Sequence, residues 1–285
     1  MGMTEAIKNN IKRKTPKIND VKLLNGFPLF SFVELNVNEL CNRTCIFCPR
    51  HDPKVYPNQN LHMSLDLADE IANQLSDVNF DGIVNISGTG EATLTKHLSD
   101  IVEKFGNKKI HIEIVTNGDR LTKDTILKLY ESGLNRIYVS CYDGIEQVDY
   151  FQSMFDELNI DTNNYYFMHY YKPPEENYGF VHYSNRGGKL FNDTSYLNRG
   201  CNSPSYAMQI NWDGKVLLCS HDWTKSVVCG DLNNEHLKNI WLHSPKYQQY
   251  RAMLYNNKRD TGPCNKCNVV GTLYGDKSKE MLHIG

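Results

Sequence analysis

Several things are scarce in this chain of 285 residues, and each scarcity excludes a class of protein. No apolar run approaches the roughly 18 residues that a membrane-spanning helix needs, and the polar, lysine-containing N-terminus lacks the apolar centre of a secretory signal. A cytoplasmic protein with no membrane partner is the expectation. Basic charge is not in excess: 31 Lys and Arg stand against 33 Asp and Glu, so nothing in the balance attracts nucleic acid. An even set of cysteines is also missing. Nine cysteines, several in close pairs, read as metal ligation rather than a disulfide framework. The length suits one large domain with a smaller appendage.

A fourth ligand is absent where the first three cysteines gather. Cys41, Cys45 and Cys48, spaced C-x3-C-x2-C on a short loop, can turn their thiolates toward one point. A structural zinc site is closed by four ligands, and only His51 stands near. A cubane cluster with one iron left open fits better. Phe32, Val33, Leu35 and Val37 form a β-rich run that delivers the chain into this loop, placing it at the C-terminal end of a first strand. That is where parallel α/β folds bind their ligands.

Downstream the pattern alternates. Ser64 can cap a helix to about Leu75, with Leu67, Ala68, Ile71 and Leu75 on one face. A strand follows over Gly82–Ser87, ending in the turn Gly88-Thr89-Gly90-Glu91, which is too short for a phosphate-binding loop and by itself reads as a tight turn. Then come a helix (Leu98–Phe105), a strand (Ile110–Thr116), a helix (Thr122–Ser132), a strand (Arg136–Cys141), a helix (Ile145–Leu158) and a strand (Tyr165–Tyr170). Such alternation predicts an α/β fold with a parallel sheet and right-handed crossovers. A complete eight-stranded barrel needs about 250 residues, so an open, partial barrel is expected. Residues 1–28, with Lys8, Lys12, Arg13, Lys14 and Lys17, show no apolar period and read as an N-terminal extension whose basic run is a solvated face. Lys172 to Glu176 is linker-like, and Tyr183 to Gly188 looks like a tight turn bearing Arg186. The expected division is 29–185 for the barrel and 186–285 for a small auxiliary domain. The latter holds Cys201, Cys219, Cys264 and Cys267 around a hairpin turned at Asp213-Gly214. Taken alone, those four thiols suit zinc as well as iron.

Cys41, Cys45 and Cys48 resemble the signature of the radical S-adenosylmethionine (SAM) superfamily. That resemblance implies a [4Fe-4S] cluster that binds SAM at its open iron and cleaves it to a 5'-deoxyadenosyl radical. Gly88, Gly90 and Glu91 resemble the superfamily's G-G-E motif, which holds the SAM amino group, with Ala92 where proline is common. Phe47, Asn117 and Ser140 are the further SAM contacts the resemblance suggests. Cys201, the hairpin, Cys219, Gly230, Ile240-Trp241, Arg251 and the Cys264/Cys267 pair resemble the SPASM/twitch extension, implying one auxiliary [4Fe-4S] cluster. The activity implied is an oxidoreductase that removes hydrogen from a sugar or cyclitol-like alcohol, assisted by a reductant such as flavodoxin or ferredoxin. Arg186, with His169 and Tyr170 nearby, is placed at the substrate as an orienting or electrostatic group, since an arginine stays protonated. The competing readings are a radical epimerase with a cysteine hydrogen donor, for which Cys229 is the candidate, and a peptide-modifying enzyme. A zinc-stabilised binding module belongs to a different class. Cys141 should turn away from the cavity if Ser140 points in.

Overall fold

The computed structural model describes residues 5–173, 184–193, 195 and 198–282. Helix α1 (Glu5–Asn19) and a small ribbon, β1 (Leu23–Leu24) with β2 (Phe27–Pro28), precede the main sheet. Strands β3 (Phe32–Leu35), β4 (Ile83–Ile86), β5 (Ile112–Thr116), β6 (Arg136–Cys141) and β7 (Tyr165–His169) then run parallel to one another. Helices α2 (Leu65–Asp77), α3 (Leu98–Gly106), α4 (Lys123–Glu131) and α5 (Ile145–Glu157) connect them. Local chemistry sets these boundaries: Ser64 Oγ accepts from Leu67 N at 3.2 Å and Thr122 Oγ1 from Thr125 N at 3.1 Å, each capping its helix. Helix α2 buries Ala68, Ile71, Ala72 and Leu75 as one stripe.

The chain beyond residue 200 joins the same sheet. Strand β8 (Ala207–Ile210) pairs parallel with β3, and β9 (Lys215–Leu217) and β10 (Val228–Asp231) add antiparallel. The order is β10-β9-β8-β3-β4-β5-β6-β7, so β3 lies at the centre and the sheet is an unclosed, partial barrel. Gly214, at φ 82°, makes the turn between β8 and β9, a conformation only glycine adopts cheaply. Trp241, fully buried, donates from Nε1 to Pro28 O at 2.8 Å, and Arg251 stacks 4.0 Å from its ring centre.

Residues 5–19 correct the reading of a loose, solvated arm. They form a helix, and its cations do not all face water. Ile18 is fully buried, Arg13 pairs with the buried Glu113 and lies 4.6 Å from the Tyr138 ring centre, and Lys14 sits 4.1 Å above Phe32. An apolar period was absent because α1 is held largely through charge and rings rather than through a hydrophobic stripe.

The partners of α1 belong to one row across the sheet. In register, Glu113 on β5 stands beside Asn85 on β4, Asn85 beside Glu34 on β3, and Glu34 beside Gln209 on β8. Polar side chains at the middle of central strands are costly unless they meet partners or a cavity. Burial opposes ionisation of Glu113, but His111, Arg13 and Arg136 together hold its carboxyl below the usual range. The linker-like stretch continues past Pro173, and the 183–188 turn begins at Tyr183; residues 174–183 lie outside those described. Among the described residues no helix is long and apolar enough to cross a membrane.

Candidate active site

One cavity of about 770 Å³ runs inside the partial barrel. Cys41, Cys45 and Cys48 line one part of it; Cys201, Cys219, Cys264 and Cys267 line another. The first loop is clamped at both flanks. Asn58 bonds both the N–H and the carbonyl of Cys41 at 2.9 Å. Arg43 reaches Asp119 and Asp143, each at 2.6 Å at its shortest, tying the loop to the ends of β5 and β6. Beneath it the buried pair Arg50–Glu39, 3.1 Å apart, is completed by Lys225 from the far end of the chain. His51 is exposed, its Nδ1 lies 3.2 Å from Thr44 O, and it does not line the cavity. The loop therefore offers three thiols and an approach for a further ligand from the cavity. Burial, then the neighbouring Cys48 and Cys41, push the Cys45 thiol up to about 11.

The second set is drawn from three segments, Cys201 before β8, Cys219 after β9 and Cys264 with Cys267 on a later loop, with a glycine turn packed against it. Burial and the three neighbouring thiols hold Cys219 well above the ordinary thiol range. Val269 N donates to Cys267 Sγ at 3.5 Å. A Cβ on Gly271 would fall 2.5 Å from Cys201 Sγ, so glycine is required for that approach. Arg259, 2% exposed, spends its donors on the carbonyls of Arg199, Gly200, Cys267 and Val270. Among the described residues no carboxylate pairs with this charge. A buried cation beside four thiols, with no acid to neutralise it, fits an anionic thiolate-bound cluster. Among the described residues no three His, Cys, Asp or Glu side chains approach closely enough for a single metal ion. A cubane, ligated at separate corners, spreads its sulfurs wider than one ion does.

The residues expected to hold SAM line the same cavity. A Cβ on Gly90 would fall 1.8 Å from Asn38 Oδ1, and Gly88, at φ 135°, packs on Asn36, whose Oδ1 accepts from Thr89 N at 3.1 Å. Glu91 is buried and already engaged: Oε1 accepts from Thr93 N, Thr93 Oγ1 and Thr116 Oγ1, and Oε2 from Asn117 N at 2.7 Å. Burial raises its carboxyl, which these bonds oppose. Asn117 Nδ2 donates to Asn42 Oδ1 at 2.8 Å, tying this strand end to the cysteine loop. Phe47, Tyr142 and Tyr170 stack with interplanar angles of 11° to 18°, a face that suits an adenine ring, and Ser140 lies beside both tyrosines.

Arg186 lines the cavity from a left-handed turn, φ 50°, anchored by a reciprocal pair: Asn185 N donates to Asn268 Oδ1 at 2.8 Å and Asn268 N to Asn185 Oδ1 at 3.2 Å. Cys229 is not brought to the cavity. It lies in the hydrophobic core with its thiol pushed up to about 12 by burial, and Ser244 Oγ donates to its carbonyl at 2.6 Å. Cys141 is likewise in the core, pointing opposite to Ser140. His169 does not line the cavity, whereas Tyr170 does. Sequence reasoning missed Lys14, Glu34, Asn85 and Gln209, all of which line it. A usable signal existed: one polar residue interrupts each of Phe-Val-Glu-Leu, Ile-Val-Asn-Ile and Ala-Met-Gln-Ile.

Comparison with known proteins places two regions. Residues 35–144 match the radical SAM superfamily and 201–268 match SPASM, an iron-sulfur cluster-binding domain. Over 248 residues the chain is 31% identical to the S-adenosyl-L-methionine-dependent 2-deoxy-scyllo-inosamine dehydrogenase of Niallia circulans, covering 85% of this chain and 94% of that one. The crystal structure of BtrN in complex with AdoMet and 2-DOIA superposes with a TM-score of 0.73 at 29% identity, covering 89% of this chain and 98% of that one. BtrN in an open conformation gives 0.64 at 25% identity, covering 87% and 97%.

Proposed function

Because the chain belongs to the radical SAM superfamily and is an oxidoreductase of that superfamily with a SPASM-type auxiliary domain, we propose that it oxidises a secondary alcohol on a hydroxyl-rich ring of the aminocyclitol kind. The observation that carries this reading is the single cavity opening on both cysteine sets. Cys41, Cys45 and Cys48 would hold the SAM-binding [4Fe-4S] cluster, and Cys201, Cys219, Cys264 and Cys267 the auxiliary one. When bound, the first supplies the electron that cleaves SAM and the second takes up the electron that the substrate gives up.

The chain's own residues do the positioning. Phe47, Tyr142 and Tyr170 offer a stacking face for adenine, and the Gly88–Glu91 turn and Asn117 bring backbone groups to the SAM end. Ser140 lines the cavity beside the two tyrosines. Arg186 acts electrostatically and as a donor, because a guanidinium has no lone pair to accept a proton. Its turn is tied to the second cysteine loop, where Asn185 Nδ2 donates to Lys266 O at 2.7 Å.

An epimerase needs a hydrogen-donating thiol at the substrate, whereas the two thiols outside the cluster sets, Cys141 and Cys229, are both packed in the core. Superfamily membership sets aside the zinc-stabilised binding module. The relative's small-molecule substrate favours a ring alcohol over a peptide, and flavodoxin or ferredoxin is the reductant class we propose, in the cytoplasm. Anaerobic turnover of 2-deoxy-scyllo-inosamine in deuterated water tests the reading. A product lighter by two hydrogens, without solvent deuterium at the carbinol carbon, is expected; unchanged oxidation state with deuterium incorporated would make the enzyme an epimerase.

A further inference from the structure

Removing a hydrogen atom from a carbinol carbon leaves a hydroxyl proton that must be accepted by the protein or by water. Two carboxylates line the cavity among the described residues, Glu34 and Glu91. Glu91 has four donors on its two oxygens and serves as a knot between strand ends. Glu34 stands at the centre of the central strand, half-buried and facing the cavity, with Ser220 among the groups that favour its charged form. Flanking it in register are Asn85 and Gln209. Gln209 is 6% exposed, and its Oε1 is buried without a hydrogen-bond donor, so this polar row has an acceptor to offer an incoming hydroxyl.

Helix α1 supplies the matching cation. Arg13 is committed to Glu113 two strands away, and this anchors the next residue, Lys14, over Phe32 on the same face of β3 as Glu34. The groups acting on Glu34 are Lys14 from α1, Arg186 from the left-handed turn and Ser220 after β9, with Tyr206 at the start of β8 and Asn85 and Gln209 beside it. We propose that Glu34, with Lys14 as its counter-ion, receives the substrate's hydroxyl proton, and that α1 is thereby one wall of the substrate site. This rests on the alcohol-oxidation reading above. The balance is complete. The carbinol hydrogen atom goes to the 5'-deoxyadenosyl radical and the O–H proton to Glu34. The remaining electron goes to the auxiliary site as the C–O bond becomes double. Burial raises the Glu34 carboxyl against the pull of Lys14 and Arg186, and Lys14 is brought down to about 8 by burial and Arg13. Both shifts bring the pair toward the range in which a general base works.

The test uses the reconstituted full chain with SAM, dithionite and 2-deoxy-scyllo-inosamine. Glu34→Gln should lower ketone formed per 5'-deoxyadenosine by about 100-fold, the scale of general-base catalysis, with Glu34→Asp recovering part of the loss. Lys14→Met should move the acid limb of the pH profile to higher pH, since a carboxylate deprived of its cation ionises later; Lys14→Arg should restore it. Iron content and the visible spectrum report folding of each variant. Ketone yield and pH profile unaltered in Glu34→Gln would overturn the proposal. If the wild type does not oxidise the probe, the functional reading fails instead, and pH-difference infrared spectroscopy still decides the pairing. The Glu34 carboxyl band, assigned by its loss in Glu34→Gln, should titrate higher in Lys14→Met, and no movement would contradict the proposal.

Discussion

At the scale of single residues, the site is a set of commitments that leave few alternatives. Arg259 is the clearest. Its buried charge meets only carbonyls and the surroundings of four thiols, so Arg259→Ala should remove both the scaffold and the charge compensation of the auxiliary site. Iron content after anaerobic reconstitution is expected to fall from about eight to about four per chain, the count for two and for one cubane. An unchanged iron content would deny that role. Gly90 is a second case: a methyl group there overlaps Asn38 Oδ1 and its carbonyl, at 1.8 and 2.4 Å. Gly90→Ala should cost about 1–3 kcal/mol, the range for overpacking, measured by anaerobic denaturant unfolding. The cysteines and the G-x-G-E turn were legible because they are runs with fixed spacing. Lys14 was not, and Glu34 and Gln209 left only the trace of a polar residue interrupting an apolar strand, since the three meet only when residues 14, 34 and 209 are folded into one cavity.

At the scale of elements, periodicity carried far. The boundaries of α2 to α5 and β3 to β7 followed from apolar spacing and from cap residues such as Ser64 and Thr122, because those elements bury one stripe or two faces. Helix α1 escaped because its hold on the sheet is electrostatic. That hold has a pH signature. Glu113 has a depressed carboxyl pKa in the fold, so its pairing stabilises fully above the unfolded carboxylate value of about 4.3 and is lost as pH falls through the lower, folded value. Hydrogen exchange of α1 should therefore accelerate in acid before that of the central strands. Arg13→Ala should release α1 at neutral pH at a cost of about 3 kcal/mol, since it strips a partner from a buried carboxylate. Protection of α1 equal to wild type in that variant would refute the anchoring.

At the scale of the whole molecule, two cysteine sets more than 150 positions apart in sequence open on one cavity because β8 joins β3 directly. The Lys225–Glu39 contact repeats that link beneath the first loop, adjoining Arg50. On the reading proposed above, that cavity would set a substrate between a radical source and an electron acceptor. The linkage was foreshadowed by the order of motifs but not by any local pattern, as parallel pairing across 170 residues leaves no local trace. The most direct test of that claim is turnover of 2-deoxy-scyllo-inosamine deuterated at its carbinol carbon, with the label followed by mass spectrometry. One deuterium in 5'-deoxyadenosine, and one ketone formed per 5'-deoxyadenosine, is the predicted result. Deuterium-free 5'-deoxyadenosine, or labelled 5'-deoxyadenosine with no ketone, would contradict the account.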